Sequence, residues 1–389
     1  MVAKARIPVS TLWGARRTGP APGRPAETGP RSAAFKPGRG SQPRRAASGW
    51  RVIRTRGGIR MRPATRRATL AGLVLLPFAR PALGQAQAQS PWAPTRPVRL
   101  MVGFPPGGAA DIVARRLAEA LSGPLGQPVV VENRPGAGAQ IAVDAVAKAA
   151  PDGTVIGLSP VGPLAVNPAL TPGRLPYDPA NDFTVLAHIW DQPNVLVGSM
   201  EVPAAWGPFV QWLRARPEEP FASVGPGTSN HLTGELLSRA LGLRLQHVPY
   251  RGSPAALTDI MAGRINLFVD NVLTALPLIR EGRVRALAVT TERRVDALPD
   301  TPSMAELGLP EVTVSSWQAV IGPARLPAPV IARLSAELDR AIRAPEMVAW
   351  MTSIGAQAVG GGAEAAQAMV TRERERWARA IPPLNIRLD

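Results

Sequence analysis

The most informative segment of the sequence is Gly103-Phe104-Pro105-Pro106-Gly107-Gly108-Ala109-Ala110-Asp111. It follows the short apolar run Val98–Val102 and precedes apolar residues at helical spacing, namely Ile112, Val113, Leu117 and Leu121. This order predicts a strand, a glycine-rich turn and a helix from about Ala109 to Leu121. The first N–H groups of a helix are unpaired and carry partial positive charge, and glycine lets the backbone approach a ligand. The stretch therefore predicts a cradle for an anion.

The same construction recurs in the second half of the chain. Phe221–Val224 predicts a strand, Gly225-Pro226-Gly227-Thr228-Ser229-Asn230 a turn, and residues from His231 to Leu241 a helix. One such unit has little weight, because strand–turn–helix units need glycine for geometry alone. Two units in separate lobes predict a cleft where a bound carboxylate draws the lobes together. Neither turn has the glycine and lysine spacing of a nucleotide-binding loop.

Strand-like runs alternate with helical patterns from residue 97 onward, which predicts an α/β fold with mostly parallel strands. We place one lobe at residues 95–197 plus 316–389 and the other at residues 198–315. The chain is expected to cross between them near Val195–Val202 and to return near Ser315–Ile321.

The first ninety residues have a different composition from the rest. Residues 1–60 contain fourteen Lys and Arg but one acid, Glu27, and no apolar period, so we interpret them as a disordered basic leader. A nucleic-acid tail is the functional alternative. The other reading is a mis-start, with the true start at Met61.

Residues 61–88 have the pattern of a signal peptide. A basic head with Arg66-Arg67 precedes an apolar core, Ala68–Ala79, which is too short to span a bilayer. Small residues follow, so cleavage is expected near Gly84–Gln89. The arginine pair resembles a twin-arginine signal, and Sec export remains an equal alternative. We expect a periplasmic protein.

Charge and residue inventory exclude several function classes. The formal charge of +17 resides in the leader and signal peptide, so residues 89–389 carry no net charge and no nucleic-acid partner is expected. The chain has no cysteine, which excludes disulfides and thiolate metal sites. Three scattered histidines, His188, His231 and His247, match no metal-ligand spacing, and no G-x-S-x-G motif is present. We expect no metal, no cofactor and no catalytic residue, and an enzyme is the disfavoured alternative.

Short motifs continue the two glycine-rich turns across nearly all of residues 97–389. They are Val131-Glu132-Asn133-Arg134-Pro135-Gly136-Ala137-Gly138, Ala150-Pro151-Asp152-Gly153, Leu175-Pro176-Tyr177-Asp178-Pro179, His247-Val248-Pro249-Tyr250-Arg251-Gly252-Ser253, Phe268-Val269-Asp270-Asn271, Ala286-Leu287-Ala288-Val289-Thr290 and Leu298-Pro299-Asp300-Thr301-Pro302. In this order the motifs resemble the Bug family, the extracytoplasmic receptors of tripartite tricarboxylate transporters.

The resemblance implies a two-lobed periplasmic-binding-protein type II fold with a small carboxylate in the interlobe cleft. It also implies a membrane transporter as transient partner, and we expect a monomer. A ligand-binding module that signals to a sensor kinase is the alternative. In such proteins the first glycine-rich loop grips a carboxylate through backbone amides, often with ordered waters. Carried onto this chain, the resemblance gives Phe104, Gly107, Gly108, Ala109 and Asp111 in the first lobe, and Gly227, Thr228, Ser229 and Asp270 in the second.

Several side chains keep two interpretations. Asp111 is either a ligand to an amino group or a favourable acid at a helix N-terminus. Trp317 is either a wall of the cleft or core packing, and Arg251 is either a carboxylate clamp or a solvated turn residue. The loop after the third strand departs from the family pattern: Ser159 remains a candidate, while Pro160 removes one N–H donor.

Overall fold

A computed structural model describes residues 92–382 and residue 386. The predicted leader, the signal peptide and its cleavage site lie outside the described residues, as do a few positions at the C-terminus. Within the described part, the chain forms two β-sheets flanked by helices.

The first sheet has six strands in the order β11-β4-β10-β3-β1-β2. Strands β2, β1 and β3 are parallel, whereas β10 runs antiparallel to β3 and β4, and β11 antiparallel to β4. The strand bounds are β1 Val98–Val102, β2 Val129–Asn133, β3 Val155–Pro160, β4 Phe183–Asp191, β10 Gln318–Pro323 and β11 Gln357–Ala358.

The second sheet has five strands in the order β7-β6-β8-β5-β9. Strands β7, β6 and β8 are parallel, and β5 runs antiparallel to β8 and β9. The strand bounds are β5 Asn194–Gly198, β6 Pro220–Ser223, β7 Gln246–Pro249, β8 Leu267–Asn271 and β9 Arg285–Val289. Both sheets are therefore mixed, and the prediction of mostly parallel strands was wrong for β5 and β10, which follow the passages between the sheets, and for β11.

The helices connect the strands and cover the sheets. Their bounds are α1 Ala109–Leu125, α2 Gln140–Ala147, α3 Asn167–Leu170, α4 Trp206–Arg214, α5 Ser229–Ala240, α6 Ser253–Met261, α7 Val272–Arg280, α8 Ala328–Ile342, α9 Pro345–Ser353 and α10 Gly362–Ala380. Helix α1 is one turn longer than predicted and ends where Gly126 adopts a left-handed φ of +68°. Between residues 92 and 382 no helix combines the length and apolar character needed to cross a membrane.

The chain passes between the sheets at two adjacent points. Gln192 and Pro193 join β4 to β5, and Ser315 and Ser316 lead into β10. The two passages are bonded to each other, because the Ser316 N–H donates to the Gln192 carbonyl at 2.7 Å. The first passage precedes the predicted crossing. Residues 194–197, which we placed in the first lobe, pair with β8 and β9 in the second sheet.

Candidate functional site

A narrow cavity lies between the two sheets, at the carboxyl ends of their parallel strands. The cavity is small, because its volume of about 30 Å³ has room for one or two water molecules. Loops at this edge of an α/β sheet commonly bind ligands, because the backbone turns there from strand to helix. The first sheet and its loops contribute Phe104, Gly108, Ala109, Ala110, Pro160, Ser316 and Gln318; the second contributes Val224, Thr228, Ser229, Asn230, Gly252, Ser253 and Asn271.

Four helix N-termini meet at this cavity. Its lining includes the N-cap residues of α1, α5, α6 and α7, which are Gly108, Thr228, Gly252 and Asn271. Each N-terminus contributes unpaired N–H groups and partial positive charge. None of the fourteen lining residues is Asp, Glu, Lys, Arg or His. The cavity can therefore hold an anion with backbone dipoles, hydroxyls and amides, without a cationic side chain.

The first glycine-rich loop is held by a buried acid. Asp111 accepts from the Gly107 N–H at 3.0 Å, from Arg115 Nε and Nη2 at 2.9 Å each and from Asn133 Nδ2 at 2.9 Å. Asn133 Nδ2 also donates to the Phe104 carbonyl, and Gly107 has φ +83°, a conformation that side chains disfavour. Burial raises the pKa of Asp111, but the hydrogen bonds from Arg115, Gly107 and Asn133 outweigh it and the pKa is lowered. Asp111 thus stays ionised and fixes the shape of the loop.

The second glycine-rich loop is closed by its own cap. Thr228 Oγ1 donates to the Gly225 carbonyl at 2.7 Å and accepts from the His231 N–H at 3.3 Å. The Gly227 N–H donates to His231 Nδ1 at 3.2 Å, which directs the His231 ring against the loop. His231 stacks on His247, with ring centroids 3.9 Å apart, and burial lowers the pKa of His247 to about 3 with a further contribution from His231. His247 is therefore neutral at physiological pH.

Asn194, at the start of β5, organises the second side of the cavity. Its Oδ1 accepts from Asn271 Nδ2 at 2.9 Å, and from Ser229 Oγ and Asn230 Nδ2 at 3.4 Å each. Its Nδ2 donates to Thr233 Oγ1 at 3.3 Å. One fully buried amide thus holds three lining side chains that come from two helix N-termini.

A serine at the third helix N-terminus is bonded to a buried carboxylate. Ser253 Oγ donates to Asp270 Oδ1 at 2.5 Å, and Thr274 Oγ1 donates to Asp270 Oδ2 at 2.7 Å. Ser253 lines the cavity, whereas Asp270 lies behind it and is fully buried.

The loops of the two sheets touch around the cavity. A β-carbon at Gly138 would lie 2.4 Å from the Pro226 carbonyl oxygen, and one at Gly252 would lie 2.7 Å from Pro105 Cγ. Both distances are shorter than any van der Waals contact. These glycines therefore permit an arrangement in which the loops close over the cavity.

The structure brings some predicted site residues to the cavity and not others. Phe104, Gly108, Ala109, Thr228 and Ser229 line it. Gly107, Asp111 and Gly227 belong to the same loops but engage other loop atoms, as described above. Their part in ligand binding remains a prediction.

Three further predicted residues, Ser159, Asp270 and Trp317, lie off the cavity wall. Ser159 Oγ bonds to the carbonyl of Pro160, which is the lining residue, and Asp270 is separated from the cavity by Ser253. Trp317 lies on the opposite side of the chain from Ser316 and Gln318, and its Nε1 donates to Glu373 Oε2 at 3.1 Å. The packing interpretation of Trp317 is the one that the structure favours. Arg251 is exposed and is not a lining residue.

Two further helix N-termini contribute lining residues that were not predicted from the sequence. Gly252-Ser253-Pro254 follows β7 and has a proline in the first helical turn, which is a recognisable helix start. Asn271, the last residue of β8, is of a type that is common at helix N-caps. Asn194 carried no such signal, because its role depends on contacts with distant residues.

Comparison with known proteins identifies the family. The family described as "Tripartite tricarboxylate transporter family receptor" matches residues 113–386, which is more than half of the chain. The chain belongs to this family. It is a solute-binding receptor of the tripartite tricarboxylate transporter type, and the family is one of receptors and not of enzymes.

Individual members of the receptor family resemble the chain over most of its length. BugT from Bordetella pertussis is 36% identical, with 74% of this chain and 89% of BugT covered. The structure of MatC from Rhodopseudomonas palustris with bound malate has a TM-score of 0.70 and 30% identity, covering 74% of this chain and 99% of MatC. A second R. palustris protein, with adipate, has a TM-score of 0.72 and 34% identity, covering 76% of this chain and 99% of that one.

Proposed function

We propose that this receptor captures a small carboxylate between its two lobes and delivers it to a membrane transporter. The observation that carries the proposal is the meeting of four helix N-termini at one cavity with an uncharged lining. Such a site stabilises a negative charge through N–H groups and helix dipoles. The malate and adipate bound by two structural relatives support a carboxylate as the anion.

The two sides of the cavity have separate parts in capture. Gly108, Ala109 and Ala110 offer backbone N–H groups from α1, and Ser229 and Asn230 offer theirs from α5. A ligand held by both sides bridges the sheets and favours the closed arrangement, since it contacts both sides at once only there. Opening at the passages beside Pro193 and Ser316 then releases it.

The receptor acts, in this proposal, as a periplasmic monomer without catalytic activity. Export follows from the predicted signal peptide, and delivery requires transient docking to the transporter's membrane subunits. The membership of the chain in a transporter receptor family supports this assignment.

A thermal-shift screen tests the proposed function. The purified protein is first unfolded and refolded to remove retained ligand, then heated with acetate, succinate, malate, adipate or citrate. A carboxylate present at 100 times its Kd should stabilise the protein by about 2.7 kcal/mol. Matching concentrations of neutral amides of the same chain lengths serve as controls and should produce no shift. Absence of a shift with every carboxylate, or turnover of an ester substrate, would contradict the proposal.

A further inference from the structure

In the structure, the hydroxyl of Ser253 can only accept a hydrogen bond from the cavity, whereas an anion needs a donor. A hydroxyl carries one proton, and Ser253 donates that proton to Asp270 at 2.5 Å. Only lone pairs of Ser253 Oγ remain for the cavity that it lines. An anion placed there meets a hydrogen-bond acceptor, although the helix N-terminus around it provides donors.

Asp270 has no cation to balance its charge. It is fully buried, and in the described part of the chain its bonds come from the hydroxyls of Ser253 and Thr274 and from the Asn271 N–H, without an ion pair. Burial of a carboxylate without a counter-ion is costly, and this shifts the ionisation equilibrium of Asp270 toward its neutral form.

The charged and titratable groups on the elements packed against β8 are engaged elsewhere or exposed. His231 on α5 contacts Gly227 and Glu235, and Asp259 on α6 accepts from Tyr250 and Arg264. Glu219, before β6, accepts from Asn266. The side chains of Arg239 on α5 and Arg280 on α7 are exposed. None of these groups is bonded to Asp270.

The pKa of Asp270 agrees with this geometry. Burial raises it to about 6, against the opposing hydrogen bonds from Ser253, Thr274 and the Asn271 backbone. A bound carboxylate beside Ser253 adds a like charge one hydroxyl away, which raises the pKa of Asp270 further. Ligand binding and protonation of Asp270 therefore favour each other.

We propose that Asp270 takes up one proton when the anion binds and thereby turns the Ser253 hydroxyl toward the ligand. The proton comes from solvent and forms an O–H bond on Asp270, which then donates to Ser253 Oγ. The Ser253 proton leaves its bond with Asp270 and donates to the anion. Asp270 is thus a positioning residue that acts through Ser253. The inference rests on the proposed function, since it concerns the same cavity.

Calorimetry of ligand binding tests this role. The probe is whichever of acetate, succinate, malate, adipate and citrate binds most tightly, titrated into refolded protein between pH 5 and pH 8. Above about pH 6 the Kd of the wild-type protein should rise by up to about tenfold per pH unit, because binding then requires the uptake of one proton. Titrations at pH 7 in buffers of different ionisation enthalpy should show uptake approaching one proton.

The variant Asp270→Asn removes the titrating group and keeps its shape. Its amide donates to Ser253 Oγ permanently, so at pH 8 it should bind more tightly than wild type, with little pH dependence and no proton uptake. Asp300→Asn makes the same change at an exposed position and should retain the wild-type profile. The same ligand is used throughout, so its own titration is common to all three proteins.

Each outcome separates the inference from the proposed function. Wild-type binding without proton uptake overturns the inference, even if Asp270→Asn does not fold, and leaves the receptor function intact. An unchanged pH slope in Asp270→Asn also overturns it and assigns the proton elsewhere. If no carboxylate of the panel binds wild type or variant at any pH, the proposed function fails and the inference with it.

Discussion

Two buried acids, Asp111 and Asp270, lie beneath the two sides of the cavity and have opposite surroundings. Asp111 is bonded to Arg115, Asn133 and the Gly107 N–H, and the pKa of Asp111 is lowered. Asp270 is bonded to hydroxyls and one N–H without a cation, and burial raises the pKa of Asp270 to about 6.

The two sides of the cavity therefore have different properties. The first side is a backbone loop with a permanent charge pair beneath it, so its geometry does not change with pH near neutrality. The second side presents hydroxyls and amides whose hydrogen-bond direction can change with one proton. In the proposed mechanism, the fixed donors of the first side recognise the anion and the second side adapts to it.

A larger side chain on the first side of the cavity should have the largest effect on ligand binding. Gly108 has φ −81°, and a β-carbon there would meet only the Pro105 carbonyl oxygen at 3.6 Å, so Gly108→Val is compatible with the backbone. Its side chain would occupy the cavity that Gly108 lines. We expect binding to weaken more than about 100-fold, which corresponds to about 2.7 kcal/mol, while the unfolding free energy changes little. Calorimetry and chemical denaturation measure the two quantities.

Gly123→Val is the matched control, because a β-carbon at Gly123 has no neighbour within 4 Å. It should bind as wild type. Full affinity in Gly108→Val would place the ligand away from the first loop.

The contrast between the acids should also appear in the pH dependence of stability. The folded-state pKa of Asp270 lies above its ordinary value of 3.8, so its protonated form is favoured by folding. The stabilisation of the folded state by protonated Asp270 is complete below about pH 4 and amounts to about 3 kcal/mol. It is lost as the pH rises through about 6. Asp111 has a lowered pKa and contributes in the opposite direction: its stabilisation is present above about pH 4 and is lost as the pH falls further.

Denaturant unfolding of ligand-free protein between pH 4 and pH 7 checks this prediction. Asp270→Asn should lack most of the decline that wild type shows between pH 4 and 6, and Asp300→Asn should keep it. Identical curves for wild type and Asp270→Asn would refute the contrast between the acids.

Weakening the hydrogen bonds that hold the first glycine-rich loop, without filling the cavity, should have the smallest effect on ligand binding. Asp111→Asn weakens the bonds to Arg115 and the Gly107 N–H, and since Arg115 is half exposed its charge can be solvated. We expect a stability loss of about 1–2 kcal/mol and roughly tenfold weaker binding, measured by thermal denaturation and calorimetry. Arg115→Gln leaves the Gly107 and Asn133 bonds in place and should be milder. Equal affinity in wild type and Asp111→Asn would show that the loop keeps its shape without the acid.

Local sequence patterns predicted strands β1 and β6 and the glycine-rich turns that follow them, because strand–glycine–helix units are determined by neighbouring residues. Strand β1 has the predicted bounds and α1 begins at Ala109 as predicted, whereas α5 begins at Ser229, two residues before the predicted His231, because Thr228 caps it. The roles of Asn194, Gln318 and Ser253 could not be predicted in this way, since each depends on residues far along the chain.

The direction of a side chain was the least predictable property. Trp317 and Gln318 are neighbours on one segment, yet only Gln318 lines the cavity, and the register of β10 decides which of them does. Similarly, Asp270 and Ser253 lie 17 positions apart, and only the packing of α6 on β8 shows that the serine separates the acid from the cavity.

The proposed function requires that one anion is held between the helix N-termini of both lobes. A crystal structure with the most tightly bound carboxylate of the panel would show whether it is. We predict one carboxylate group about 3 Å from backbone N–H groups at the start of α1, with the same ligand bonded to Ser229 or Ser253 across the cavity. A ligand bound outside the cavity, or one that contacts a single lobe, would contradict the account.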